Sequence, residues 1–325
     1  MDVIDQVVTE KYALYNGDCV EVVSKLKDNS VDFSVFSPPF ASLYTYSNSD
    51  RDMGNCGSDE EFFAQFSYLV ENLYRVIRPG RLVAIHCMNL PTSKANDGYI
   101  GIKDFRGDLI RKFQEYGFIY HSEVCIWKDP VVAMQRTKAL GLLNKTIKKD
   151  SSMSRQGIPD YLVVMRKPGE NERPVEGEFR YFVGDELMHN FVQHEREDGR
   201  IVQVPDHERG ATSIDIWQRY ASPVWHDINQ TNTLNFREGR ESDDERHICP
   251  LQLDVIERAM QMWSMPGDVV LTPFLGIGSE AYVAVSMGRK AIGVELKSSY
   301  FKLAVRNVEQ AERQQYDLFQ DAGQV

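Results

Sequence analysis

The feature that most restricts how this chain can fold is an apolar run cut short by two prolines. Val31-Asp32-Phe33-Ser34-Val35-Phe36 reads as a strand buried in a sheet, and Ser37-Pro38-Pro39-Phe40 follows at once. Neither proline has an N–H and both fix φ, so the ladder must stop there and the backbone opens into a loop. The prolines also remove donors that would compete for the loop's carbonyl oxygens. A hydroxyl, Ser37, sits before them and a flat ring, Phe40, after. That set can accept hydrogen bonds from an amino group and stack on the ring that carries it. A plain strand-to-loop turn uses the same residues, so the rest of the chain has to decide.

Around this strand the chain alternates strands and helices. Lys11–Tyr15 predicts a strand ended by Asn16-Gly17-Asp18, then a short helix carrying Val20, Val23 and Leu26. Ser58-Asp59-Glu60-Glu61 is a capping box opening a helix whose apolar face runs from Phe62 to Ile77, with Pro79-Gly80 as its stop. Strands follow at Leu82–Cys87, Phe118–Trp127 and Tyr161–Met165, with a helix over 104–116. Leu251–Trp263 is helical, Asp268–Leu271 a strand, Ala291–Glu295 the last strand, and a helix starts at Ser298. This order predicts an α/β doubly wound, mostly parallel sheet. Residues 169–245 have no clean period and carry aromatic islands such as Trp217-Gln218-Arg219-Tyr220, as an inserted, loop-rich region would. The expected division is 1–168, with a basic insertion at 128–155, then the insertion at 169–245, then 246–325.

A second constellation lies near the C-terminal end. Phe274-Leu275-Gly276-Ile277-Gly278 joins a strand to a helix that Ser279 is expected to cap. Glycines let backbone approach a ligand closely, and a helix N-terminus offers free N–H groups. Glu295 ends the next strand, 17 residues after Gly278, where an acid can accept from a ribose diol. A third glycine in the dinucleotide register is missing, as is the Lys-Ser/Thr of a phosphate-binding loop. The unit therefore suits a nucleoside without a polyphosphate.

Charge narrows the partners. The net charge is −11, the wrong sign for a general nucleic-acid coat. Residues 128–167 nevertheless hold nine Lys or Arg against three Asp. Within them Arg136, Lys138, Lys145, Lys148 and Lys149 are the candidates for phosphate contacts. The five cysteines are scattered, with no metal or disulfide spacing, and no apolar run is long enough to span a membrane. A reducing, cytoplasmic compartment is the expectation.

Ser37-Pro38-Pro39-Phe40, the Phe274-x-Gly276-x-Gly278 loop and Glu295, in that order, resemble the motifs of the permuted (β) amino-group DNA methyltransferases, which act on N4 of cytosine or N6 of adenine. The resemblance covers 12–167 and 246–310. It implies a Rossmann-like fold that binds S-adenosylmethionine (AdoMet), circularly permuted, with an inserted target-recognition region. Ser37, Pro38, Pro39 and Phe40 match the catalytic motif; Phe274, Gly276, Gly278 and Ser279 match the cofactor motif, and Glu295 matches its ribose acid. Asp18, after Gly17, resembles the carboxylate that reaches the cofactor's adenine amine. Cys249-Pro250 lie in a segment resembling the one beside its methionine end. One departure is Thr272, where the family usually has Asp before Pro-Phe.

The implied partner is double-stranded DNA; a homodimer and a cognate restriction nuclease are further partners the resemblance allows. The permutation predicts that the strand before Phe274 lies beside the strand before Ser37, at the point where strand order reverses. The implied reaction is direct methylation of an exocyclic amine on a flipped base. Ser at the first motif position favours N4 of cytosine over N6 of adenine within the family. An RNA base, a protein amide, or a catalytically silent partner subunit are the rival readings.

Overall fold

The computed structural model describes residues 3–40, 51–92, 97–137, 140–173, 191–195, 199–205, 213–235 and 250–322. In chain order the strands are β1 (Asp5–Val8), β2 (Tyr12–Asn16), β3 (Val31–Phe36), β4 (Ile77–Met88), β5 (Leu90–Pro91), β6 (Ile102–Lys103), β7 (Ile119–Ile126), β8 (Asp160–Arg166), β9 (Phe191–Glu195), β10 (Ile201–Pro205), β11 (Val224–Trp225), β12 (Val269–Thr272) and β13 (Lys290–Glu295). The helices are α1 (Cys19–Ser24), α2 (Asp59–Val76), α3 (Phe105–Glu115), α4 (Pro130–Thr137), α5 (Asn144–Lys149), α6 (Ser213–Tyr220), α7 (Leu253–Trp263), α8 (Ser279–Ser286) and α9 (Ser298–Ala322).

Among the described residues nine strands make one sheet in the order β1-β2-β13-β12-β3-β4-β8-β7-β11. The run β2-β13-β12-β3-β4 is parallel throughout, and β8 pairs antiparallel with both β4 and β7. The strand before Phe274 does pair with the strand before Ser37: Val270 opposes Phe33 and Leu271 opposes Ser34. Ser34 Oγ adds a bond to the Leu271 carbonyl at 2.8 Å. Two stretches 237 residues apart therefore meet at the centre of the sheet.

Helices cover both faces. On one, Phe62, Phe66, Leu69 and Leu73 of α2 and Leu109 and Phe113 of α3 pack on Val83, Ile85 and Cys87 of β4. On the other, Val255, Ile256 and Ala259 of α7, Ala281 and Ala284 of α8 and Phe301 and Val308 of α9 pack on Phe33, Val35 and Ala84. The alternation of Val83, Ala84 and Ile85 between the two layers is the period of a strand buried on both sides.

Several local expectations are modified. Ser58 Oγ accepts the Glu61 N–H at 3.2 Å as a cap should, but the Glu61 carboxylate returns to Gly57 N–H at 2.7 Å, one residue further out. Helix α2 ends at Val76 and not at Pro79-Gly80, because Ile77 is already extended, with ψ 137°. Strand β4 starts there and runs through the proline. Ser279 is not the cap of α8: Gly278, with φ 94°, holds the N-cap position and Ser279 is the first helical residue. Part of 169–245 joins the main body. Strand β11 extends the sheet beside β7, and Trp225 is fully buried in the layer of α7. The hairpin β9–β10 forms a small sheet of its own.

Candidate active site

The ends of β2, β13, β12, β3 and β4 bring the sequence-predicted residues to one edge of the sheet. In a parallel sheet the carboxyl ends point the same way, so residues just past them share a rim. Asn16 ends β2 and ties that rim together: its side-chain amide donates to the Glu295 and Leu296 carbonyls at 2.8 and 3.0 Å. Ser298 Oγ donates to its Oδ1 at 2.7 Å. Asp18 follows half-buried, and one of its oxygens accepts the Glu21 N–H at 2.9 Å, capping α1.

Glu295 ends β13 and holds the glycine loop directly. Its Oε2 accepts the Gly276 N–H at 2.7 Å and its Oε1 the Lys297 N–H at 2.8 Å. Burial pushes its carboxyl up to about 7, while those two N–H donors pull the other way. A Cβ built on Gly276, whose φ is 55°, meets nothing within 4 Å, so the loop has an open side. On Gly278 it would meet Ala304 Cα of α9 at 3.1 Å, so this glycine serves helix packing. Phe274 packs on Phe36 (5.7 Å between centroids) and, stacked, on Phe66 (6.4 Å). Those contacts join the end of β12 to the end of β3. Thr272 is buried, and its hydroxyl donates to the Phe274 carbonyl at 3.4 Å. Pro250 is half-buried beside Leu251, whereas Cys249 lies outside the described residues.

Ser37, Pro39 and Phe40 are half-buried and Pro38 is buried. Phe40 meets Phe105 edge to face at 6.2 Å. Ser37 has a partner that the sequence did not point to: its Oγ lies 2.8 Å from His86 Nδ1. His86 sits near the end of β4, the neighbour of β3. Its Nε2 lies 3.1 Å from Asp160 Oδ2, and Lys128 Nζ approaches the same oxygen at 2.5 Å. Burial works to raise the Asp160 carboxyl, but His86 and Lys128 outweigh it and hold the group below the usual carboxylate range. The available signal was a histidine near the end of a buried strand and, 74 residues on, an aspartate just before the strand at Tyr161–Met165. Nothing in sequence spacing pairs them.

The basic segment divides. Lys145, Lys148 and Lys149 are exposed on α5. Arg136 falls in α4, and Lys138 lies outside the described residues. Two charges of the expected patch are committed elsewhere. Lys128 pairs with Asp160, and Lys167 is buried with its Nζ donating to Asn29 and to the Ile77 carbonyl at 2.9 and 2.7 Å.

Comparisons with known proteins identify the family and the fold. A family model described as DNA methylase (N6_N4_Mtase) matches residues 31–306. The type II methyltransferase M.BglII of Bacillus subtilis is 24% identical over 296 residues, 90% of this chain and 67% of its own length. The DNA adenine methyltransferase YhdJ of Escherichia coli K12 is 34% identical, but over 100 residues, 30% of this chain and 34% of its own. TTHA0409 of Thermus thermophilus, solved with S-adenosyl-L-methionine, superposes with a TM-score of 0.60 at 21% identity, over 93% of this chain and 96% of that one. The cytosine-N4-specific PvuII DNA methyltransferase does so with 0.55 at 14% identity, over 97% of both.

The donor set also fits the family's cofactor: an acid on a strand end, a glycine loop with an open side, and a helix start beyond it. The chain belongs to the N6/N4 DNA methylase family of AdoMet-dependent enzymes.

Proposed function

We propose that the chain methylates the exocyclic amine of a base flipped out of duplex DNA, with N4 of cytosine as the target. The observation that carries this is Ser37 with its hydroxyl on His86, on the loop past β3, next to the strand that leads into Phe274. AdoMet, when bound, supplies an electrophilic methyl group on its sulfonium. The protein's own residues do the rest. Gly276 lets the cofactor approach the backbone. Glu295 has lone pairs left after accepting two backbone N–H bonds, and these suit a ribose diol. Asp18 has a second oxygen for the adenine amine, and Phe274, Ser279, Cys249 and Pro250 belong to the same assignment.

Ser37 Oγ and the Pro38 carbonyl accept the two N–H bonds of the target amine. The amine's lone pair is drawn out of ring conjugation and aimed at the methyl, which is catalysis by positioning and electrostatics. Phe40 supplies a stacking face. Base flipping is required because the amine is paired inside a duplex. Serine at the first motif position favours cytosine within the family, and Phe40, lacking a hydroxyl, offers a pyrimidine a stacking face only. Residues 169–245 are assigned the reading of sequence.

One observation favours adenine N6 as the second reading: the local identity to an adenine methyltransferase, 34% over 100 residues. Nuclease digestion of methylated duplex followed by mass spectrometry separates the two. N4-methylcytosine is the expected product; N6-methyladenine alone would overturn the choice of base and leave the acceptor assignment standing. An unmodified duplex, with AdoMet bound, would move the target to RNA or protein.

A further inference from the structure

Ser37 is useful as an acceptor only if its own proton points away from the target amine. A free hydroxyl rotates, and any time spent with the proton toward the amine would be unproductive. The structure supplies a place for that proton: His86 Nδ1, 2.8 Å from Oγ. Which of the two donates depends on which ring nitrogen carries hydrogen. Asp160 decides it. Its carboxylate lies 3.1 Å from Nε2, and a negative oxygen there favours the tautomer with Nε2–H. The N–H direction is oblique to that oxygen, so the preference comes from the field of the charge more than from an aligned bond. His86 and Asp160 are 8% and 2% exposed, which keeps solvent from screening that field; Lys128 Nζ, 2.5 Å from the same oxygen, offsets part of it and holds the carboxylate ionised. With hydrogen on Nε2, Nδ1 is an acceptor, and the Ser37 proton goes to it.

We propose that His86 is a positioning residue for Ser37, oriented by Asp160 and Lys128, and that it receives through Ser37 the proton the target amine must shed. The proposal rests on Ser37 being the amine's acceptor. The balance is simple. As the N–C bond forms and the C–S bond of the sulfonium breaks, the amine nitrogen holds one proton too many. That proton passes to Ser37 Oγ while the Ser37 proton passes to His86 Nδ1. The serine ends neutral, the ring becomes an imidazolium facing Asp160, and the proton later leaves to water. No oxidant, metal or further reactant is involved. The arrangement joins three strands: Ser37 past β3, His86 near the end of β4, and Asp160 opening β8. Because β8 runs antiparallel to β4, its first residue reaches the same rim, opposite Met88 in the ladder.

Two measurements test this. The first needs neither cofactor nor DNA. Two-bond nitrogen–proton NMR spectra of the ¹⁵N-histidine-labelled chain, recorded at about pH 8 where histidine is ordinarily neutral, report the tautomer. The His86 resonances are assigned with His86→Asn. The expected result is hydrogen on Nε2 alone, turning into a mixture in Asp160→Asn. Hydrogen on Nδ1, or on both nitrogens, would overturn the proposal.

The second is a double-mutant cycle on the single-turnover methylation rate at saturating AdoMet, with cofactor affinity measured by calorimetry. His86→Ala should cost about 10²–10³-fold in rate and change AdoMet affinity less than threefold. In the Ser37→Ala background the same substitution should cost less than threefold. His86→Asn, which places an amide where Nδ1 was, should retain more rate than His86→Gln, which reaches only toward Nε2. Equal losses in both backgrounds would mean that His86 only packs. If Ser37→Ala itself leaves the rate unchanged, the acceptor role of Ser37 fails, a different result from additive losses, which remove the relay alone.

Discussion

Gly276 and Gly278 have positive φ, 55° and 94°, yet they differ in what surrounds them. The sequence spacing treated them as one motif, since a glycine shows no reason for its presence until its neighbours are known. A Cβ on Gly276 would project into open space, whereas one on Gly278 would press on Ala304 of α9. Gly276→Ala should therefore lower AdoMet affinity at least tenfold in calorimetry. Its cost in stability is the strain of a left-handed alanine, about 1–2 kcal/mol, or a few degrees in Tm. Gly278→Ala adds the clash to the strain and should melt lower than Gly276→Ala. Equal affinities in Gly276→Ala and the unaltered chain would remove this loop from the cofactor site. The same limit on sequence reading hid His86. Ser37 and His86 are 49 residues apart, and only the pairing of β3 with β4 brings them together. Ser37, Glu295 and the glycine loop were legible because each is part of a local strand-then-turn pattern.

At the scale of elements, long periodic segments were legible and short irregular ones were not. Helix α2 follows from its apolar spacing and its capping serine. The pairing of β12 with β3 follows from motif order. Residues 213–235 gave no such signal, because β11 is two residues long and its anchor is a distant charge pair. Arg258 of α7 donates two bonds of 2.9 Å to the Asp227 carboxylate, and its guanidinium lies 4.8 Å from the Trp225 ring. Arg219 of α6 approaches the same carboxylate at 3.6 Å. Arg258 is fully buried and Asp227 nearly so. A buried pair of this kind is costly to break from one side, since the remaining charge stays desolvated. Asp227→Ala should destabilise the chain by about 3–5 kcal/mol in urea unfolding, with α6 and β11 loosened from the sheet. Replacing all three charges, Asp227→Leu with Arg258→Met and Arg219→Met, should recover most of that loss, because no buried charge is then left without its partner. If the triple replacement is no better than Asp227→Ala, the charged cluster holds the segment by a specific geometry that apolar packing does not replace.

For the molecule as a whole, the central problem is that a chain of net charge −11 must hold a polyanion. Long-range attraction cannot do this, since the overall field repels DNA and is cut off within about 8 Å at physiological salt. Binding must come from a local cluster close enough to the phosphates to displace their counterions. The sequence located that cluster inside the catalytic half, between the strands at Phe118–Trp127 and Tyr161–Met165, and the structure reduces it. Lys128 and Lys167 point inward, to Asp160 and to the Ile77 carbonyl, which leaves Lys145, Lys148 and Lys149 exposed together on α5. Six residues of helix with three lysines have no buried side chain, so folding gives no reason for their charge. We expect these three to contact phosphates. Each neutralised phosphate adds about 0.9 to the slope of log K against log salt. A triple variant, Lys145→Ala with Lys148→Ala and Lys149→Ala, should flatten that slope by about two to three units if all three lysines touch the backbone, and weaken binding to any sequence about equally. AdoMet affinity and thermal stability should not change, because α5 lies away from both core layers. An unchanged slope would make α5 an ordinary solvated face. DNA would then be held at the rim formed by the strand ends, where the electrostatic load would fall on residues other than these lysines.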